Sequence, residues 1–180
     1  NKDEAFFTVD CSSRDVEDIS RQLFGNDMVK GAAEVVKKGT ILIKRIEELN
    51  LPLQSRLLSF VKSLKTSKVK VICTTSVNMI DRIHDGLFRE DLYYFLNTLE
   101  IKVAALRERP EDIELLVNYY LNEDKNFAEQ KSFSPGAIKK LTSYQWPGNI
   151  LELKSIVERA YILADGIIVE RSHLSDSVNE

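Results

Sequence analysis

Cysteine and histidine are scarce. Cys11, Cys73, His84 and His173 are the whole supply, and no two of them stand at the close spacing of a zinc site, a redox pair or a metalloprotease helix. Each cysteine lies in or beside an apolar run, so buried reduced thiols are expected rather than a disulfide. Long apolar runs are missing as well: nothing approaches the ~20 residues of a membrane span, and no signal peptide is visible. Basic charge is not in excess. With 25 Lys and Arg against 28 Asp and Glu, the net charge is −3. That argues against direct nucleic acid binding by this chain, because phosphate neutralisation takes clustered cations. Repeats and low-complexity tracts are absent. A cytoplasmic protein with no membrane partner is the expectation. The chain opens on Asn1, not Met, so an upstream part is expected.

What is present suits a real core. Hydrophobic residues make up 43% and charged residues 29% of 180, the mix of one α/β domain with a small appendage. "AFFTVD" (5–10) reads as a strand. "SSRDVEDISRQLFG" (12–25) reads as a helix with Val16, Ile19 and Leu23 on one face, Ser13 as cap and Gly25 as stop. "GAAEVVKKG" (31–39) predicts a short helix with glycine at both ends. "TILIKRI" (40–46) is a continuous apolar run of the kind a central parallel strand shows. After Pro52, Leu53, Leu57, Val61 and Leu64 form a helical stripe. "KVKVICTT" (68–75) is β-branched. "VNMIDRIHDG" (77–86) and "FREDLYYFL" (88–96) read as helices, and "LEIKV" (99–103) alternates as a strand. The rest predicts three helices. The first follows Pro110, with Glu111 and Asp112 complementing its dipole. The second is capped by Ser134. The third has Asn149 as candidate cap and Gly166 as stop. A parallel α/β subdomain (1–104) is therefore expected before an all-helical one (105–180).

Several segments, in order, resemble one family. "RQLFG" (21–25), "GAAEVVKKGTILIKRIEELNLPLQSRLL" (31–58), "LFRED" (87–91), "LRERPEDI" (106–113) and "WPGNILELKSIVERA" (146–160) are similar to the AAA+ domain of NtrC-type, sigma-54-dependent response regulators. Each motif alone is weak; the ordered set is specific. The resemblance implies a three-layer α/β fold with a parallel sheet, incomplete at its N-terminus, followed by a helical lid. It also implies a family cofactor set of ATP and Mg²⁺, an upstream receiver and a downstream DNA-binding segment.

The working parts of that family are altered here. No Walker A loop precedes "AFFTVD", so the backbone cradle and lysine that hold phosphates are absent. Lys44 and Arg45 stand at the two Walker B acids, and neither cation ligates Mg²⁺ or accepts a proton from water. Glu47 and Glu48, after the strand, are a poor substitute. Ser76 corresponds to the sensor asparagine; Asn78, two residues on, reads as a helix start. Of two interface arginines, Arg89 is kept and the second falls at Phe95. The lid arginine corresponds to Leu151. Leu106, Arg107 and Ile113 lie on the family's adenine side, a vestigial binding segment by resemblance. The "GAFTGA" loop is reduced to "NDMVK" (26–30), and a neighbouring hairpin to "KTS" (65–67). NtrX-like regulators also lack "GAFTGA".

Two readings of Lys44 and Arg45 stand at this point. They are a solvated strand end paired with Glu47, Glu48 or another nearby acid, or a positive plug in the place of Mg²⁺. Arg89 reads as a structural ion pair or subunit contact, and Trp146 as core. The functional expectation is a module without ATP hydrolysis and with no cofactor. It scaffolds a bacterial two-component transcription regulator and mediates self-association; a monomer or a dimer is expected, with the lid or the "FREDLYYFL" flank as the source of any contact. The alternatives are an ATP-binding sigma-54 activator whose Walker A lies upstream, and a free-standing adaptor without DNA binding.

Overall fold

A computed structural model describes residues 5–13, 15–64, 67–123 and 131–174, with the side chains of 33, 122 and 123 excepted. Of the shortened link 65–67, only Ser67 is among them. The chain divides into two compact units, Asn1–Glu100 and Ile101–Glu180, each with its own apolar core.

The first unit is built on three parallel strands in the order β1 (Ala5–Asp10), β2 (Lys38–Lys44), β3 (Lys68–Cys73). Parallel pairing requires crossovers. Here α1 (Val16–Phe24) and α2 (Ala32–Val35) link β1 to β2, and α3 (Leu51–Ser63) links β2 to β3. Helices α4 (Met79–His84) and α5 (Glu90–Leu96) follow. Central β2 buries Ile41 and Ile43 fully, and its opposite face, Thr40 and Leu42, is half-buried. Ile19 and Leu23 of α1, Leu53, Leu57 and Val61 of α3, and Leu92 of α5 close over the buried core.

The second unit packs α6 (Glu111–Glu123), α7 (Pro135–Ser143) and α8 (Asn149–Leu163) around Leu106, Ile113, Val117, Leu141, Trp146, Leu153 and Val157. It is not strictly all-helical. β4 (Ser132–Phe133) and β5 (Ile168–Val169) form a two-residue parallel ribbon. Lys131 Nζ donates to the Tyr161 and Ala164 carbonyls, the open carbonyls at the end of α8, which a cation there suits.

Several local expectations are corrected. Residues 99–103 form no strand, and Leu99, Ile101 and Val103 are 81%, 79% and 78% exposed. Alternation describes the two faces of an extended chain, but a strand also needs a ladder partner, and none is present among the described residues. Asp15, not Ser13, caps α1, accepting from the Glu17 and Asp18 amides. Helix α2 stops at Val35, so Gly39 belongs to β2. Strand β2 ends at Lys44, because Arg45 turns into the left-handed region at φ 54° and opens a 3-10 helix over Ile46–Glu48. Asn149 is itself left-handed, φ 50°; α8 starts behind Gly148 and ends at Leu163, short of Gly166.

Candidate functional site

In a parallel α/β sheet, ligands gather where strands end at their carboxyl side. Here that place is occupied by the protein's own charges. Register pairs Asp10 at the end of β1 with Lys44 at the end of β2. The left-handed turn at Arg45 sends its side chain back across β1. Its Nε donates to Asp10 Oδ1 at 3.1 Å, and its Nη2 to Oδ1 and Oδ2 at 2.8 and 2.9 Å and to the Ser12 hydroxyl. The fork contacts both carboxylate oxygens. The Ser12 backbone N–H, then the Arg45 guanidinium and the Ser12 hydroxyl, hold the Asp10 carboxyl down at about 2. Lys44 is exposed.

Glu47 turns inward and is only 5% exposed. Its Oε1 accepts from the Ser76 amide at 3.0 Å and the Ser76 hydroxyl at 2.9 Å. Burial pushes the Glu47 carboxyl up, but the Ser76 amide and the Ser76 and Thr75 hydroxyls outweigh it, and the net shift is downward. Oε2 is buried without a hydrogen-bond partner. Ser76, where the resemblance places a sensor asparagine, is thus tied to a neighbouring strand end. The Ile46 amide donates to the Thr74 carbonyl at 3.1 Å and joins the same two loops. Glu48 is exposed.

This donor set does not fit Mg²⁺. A divalent cation needs several free oxygens, whereas the turn holds two cations, Asp10 is committed to one of them, and Glu47 faces Ser76. Among the described residues no group of three His, Cys, Asp or Glu could hold a metal.

Arg89 sits at the head of α5. Its guanidinium pairs with Asp91, at 3.0 Å from Nε and 2.7 Å from Nη2, and its own amide donates to Gln54 Oε1 at 2.8 Å. Gln54 is fully buried and also donates from Nε2 to the Leu49 and Leu87 carbonyls at 2.7 and 2.9 Å. This amide fixes the loop that presents Arg89. Its only sequence signal is a polar residue amid the apolar stripe of α3. Asn78 caps α4 through the Ile80 amide. Phe95 is half-buried and packs on the first core.

In the second unit, Leu106 and Ile113 are wholly buried, while exposed Arg107 lies 3.9 Å from Glu108. Leu151 is 76% exposed on the first turn of α8. Asn149 Oδ1 accepts from the Leu106 amide at 2.9 Å, which fastens the segment before α6 to the start of α8. Trp146 is core: its indole N–H donates to the Leu141 carbonyl at 2.8 Å, and Tyr144 meets its ring edge-on. Cys11 and Cys73 are free thiols, and burial pushes both up to about 12. No helix among the described residues is long and apolar enough to cross a membrane.

Comparison with known proteins gives consistent matches. The pattern of the Sigma-54 interaction domain matches residues 7–106, and that of the AAA+ ATPase lid domain residues 107–180. An NtrX-like response regulator of Rickettsia typhi is 37% identical over 165 residues, 82% of this chain and 35% of that protein. The alginate biosynthesis transcriptional regulatory protein AlgB of Pseudomonas syringae is 34% identical over 188 residues, covering 93% and 42%. The crystal structure of NtrX from Brucella abortus superposes with a TM-score of 0.89 at 26% identity, covering 99% of this chain and 44% of that one. The same protein in complex with ATP gives 0.85 at 26%, covering 97% and 45%. The chain spans less than half the length of these relatives.

Proposed function

The chain belongs to the Sigma-54 interaction domain family of bacterial transcription regulators, and we propose that it is a non-catalytic AAA+ module of such a regulator, a scaffold that self-associates. In the whole protein it links a receiver to a DNA-binding segment. The observation that carries this reading is the pairing of Arg45 with Asp10 and Ser12. The position the resemblance gives to the water-activating acid is a guanidinium, already spent on an internal carboxylate. A base there must accept a proton, and arginine never does so near neutral pH. Glu47, the nearest buried carboxylate, is held to Ser76 with its affinity for protons reduced, the reverse of what a general base near neutral pH requires. Phosphate release from ATP or GTP with Mg²⁺ is expected to stay at background. A rate that disappears in Glu47→Gln would overturn the reading.

A second reading rests on the ATP complex of the Brucella abortus relative. A longer form of this protein, with a phosphate cradle outside the present residues, binds nucleotide without hydrolysing it. Titration of the full-length protein with a fluorescent ATP analogue separates the two: saturable binding with background turnover favours the second, no binding the first.

A further inference from the structure

Residues 26–30, where the resemblance places a long loop, form instead a short, closed turn. Asn26 Oδ1 accepts from the Met28 and Val29 amides at 3.1 and 2.8 Å, and the Asn26 amide donates to the Val29 carbonyl at 2.8 Å. Two glycines clamp its base. A Cβ on Gly31 would lie 2.2 Å from the Gly25 nitrogen, and one on Gly25 would lie 2.6 Å from the Gly31 nitrogen. The turn is therefore braced, yet Met28 at its tip is 94% exposed and Val29 is 50% exposed. A large apolar side chain held out on a braced turn is a preorganised knob.

Beside the knob is a hole. A groove of about 400 Å³ runs between α1 and α3 and is lined by Val16, Ser20, Gly25, Pro52, Leu53 and Arg56, with Glu17, Arg21 and Asn26 among the other lining residues. Gly25 and Asn26 belong to both features, so the knob rises from the rim of the groove. Arg56 lies over the Phe24 ring at 4.4 Å and donates to the Ser20 hydroxyl at 2.8 Å, which fixes one wall.

We propose that this face is the self-association surface of the chain, each copy placing Met28 in the α1–α3 groove of a second copy about a twofold axis. A knob and a hole side by side on one surface are self-complementary under a twofold rotation, and such a contact closes at two copies. The charges agree. The exposed turn carries Asp27 before Met28 and Lys30 after Val29, and the exposed rim carries Arg56 and Glu17, beside an Arg21 that pairs with Asp18 of its own helix. Asp27 thus has Arg56 to meet, and Lys30 has Glu17. Methionine suits the role because its unbranched thioether adapts to an irregular apolar groove.

The proposal rests on the self-association part of the reading above, not on its catalytic part. The test is sedimentation equilibrium of the 180-residue chain over a wide concentration range. The wild type is expected to pass from monomer to dimer as concentration rises. Met28→Glu, at a site too exposed to disturb the fold, is expected to weaken dimerisation about tenfold or more, the scale of a lost interface anchor. Lys30→Glu is expected to weaken it and Glu17→Lys in the same chain to restore it; a merely structural effect would not be rescued. A wild type that dimerises while Met28→Glu dimerises equally well overturns the groove and leaves self-association standing. A wild type that stays monomeric throughout overturns both, while the absence of turnover is judged separately by phosphate release.

Discussion

Arg45 holds a backbone conformation, φ 54° and ψ 52°, that costs a side-chain-bearing residue about 1–2 kcal/mol. The surroundings that keep it there are the bidentate contact with Asp10 and the 3-10 turn that follows. Asp10 supplies a direct test. Its carboxyl falls from 3.8 unfolded to about 2 folded. A lowered carboxyl contributes stability that is fully present above its unfolded value and is lost as pH falls toward its folded one. The Asp10 share is thus intact above pH about 4 and is lost as pH falls through about 2. Asp10→Asn is expected to lower stability at neutral pH and to flatten the acid limb between those values, as urea melts across pH would show. A second test concerns chemistry. Lys44→Asp with Arg45→Glu restores the family's acids in name but is expected to leave phosphate release at background. Leu151 and Phe95 still stand where the resemblance has arginines, and parts of a catalytic unit act together. Turnover well above wild type would show that only this turn was broken. Gln54 carries a different weight. Gln54→Ala strands one buried carbonyl, and a second carbonyl and an amide that are partly buried, and unfolding by urea is expected to show a loss of about 2–4 kcal/mol.

At the scale of elements, the legible parts are those in which periodicity and burial coincide. β2 and the stripe of α3 emerge from apolar spacing, and Ser134 caps α7 as the sequence suggests. Segment 99–103 has the same alternation as a true strand and still forms none, because alternation says nothing about a partner. The site shows the same limit. That Lys44 and Arg45 stand where the resemblance has acids is legible in the chain, whereas the partner of Arg45 is not: Asp10 lies 35 residues away and meets Arg45 only through the β1–β2 register. The inward turn of Glu47 is likewise set by the 3-10 helix after β2, which no apolar period announces. Loop 26–30 reads as a shortened linker; the two glycines at its base become meaningful only when their backbones are seen in contact. Gly31→Ala and Gly86→Ala separate two roles of glycine. The Gly31 Cβ would press on backbone at 2.2 and 2.5 Å, whereas at Gly86 there is open space and only a positive φ of 69°. Equilibrium unfolding is expected to give about 1 kcal/mol for Gly86→Ala, the left-handed cost alone. For Gly31→Ala about 1–3 kcal/mol or more is expected, since backbone must move to admit the methyl group.

For the whole molecule, the question is what nucleotide can do to assembly. A ligand shifts an association equilibrium only by binding one state better than another. In the family that the sequence resembles, arginines of one subunit reach the phosphates of the next, so ATP couples to ring formation. By the same resemblance Arg89 alone is kept of that set, and its guanidinium is engaged with Asp91. Hydrogen bonding to Asp91 raises the Arg89 guanidinium pKa, and hydrogen bonding to Arg89 lowers the Asp91 carboxyl. Reaching a phosphate would mean breaking that pair. Self-association through Met28 and the α1–α3 groove involves none of these groups. On the proposed reading the two equilibria are uncoupled. At fixed protein concentration, the mass of the chain by light scattering is expected to be the same with ATP, with ADP, with ADP–metal fluoride and with no nucleotide. Arg89→Ala is expected to leave that mass unchanged, because its ion pair lies within one chain and is exposed, where such pairs contribute little. Growth to a hexamer with any of the nucleotides would show that phosphates are bound between subunits, and the non-catalytic reading would lose its basis.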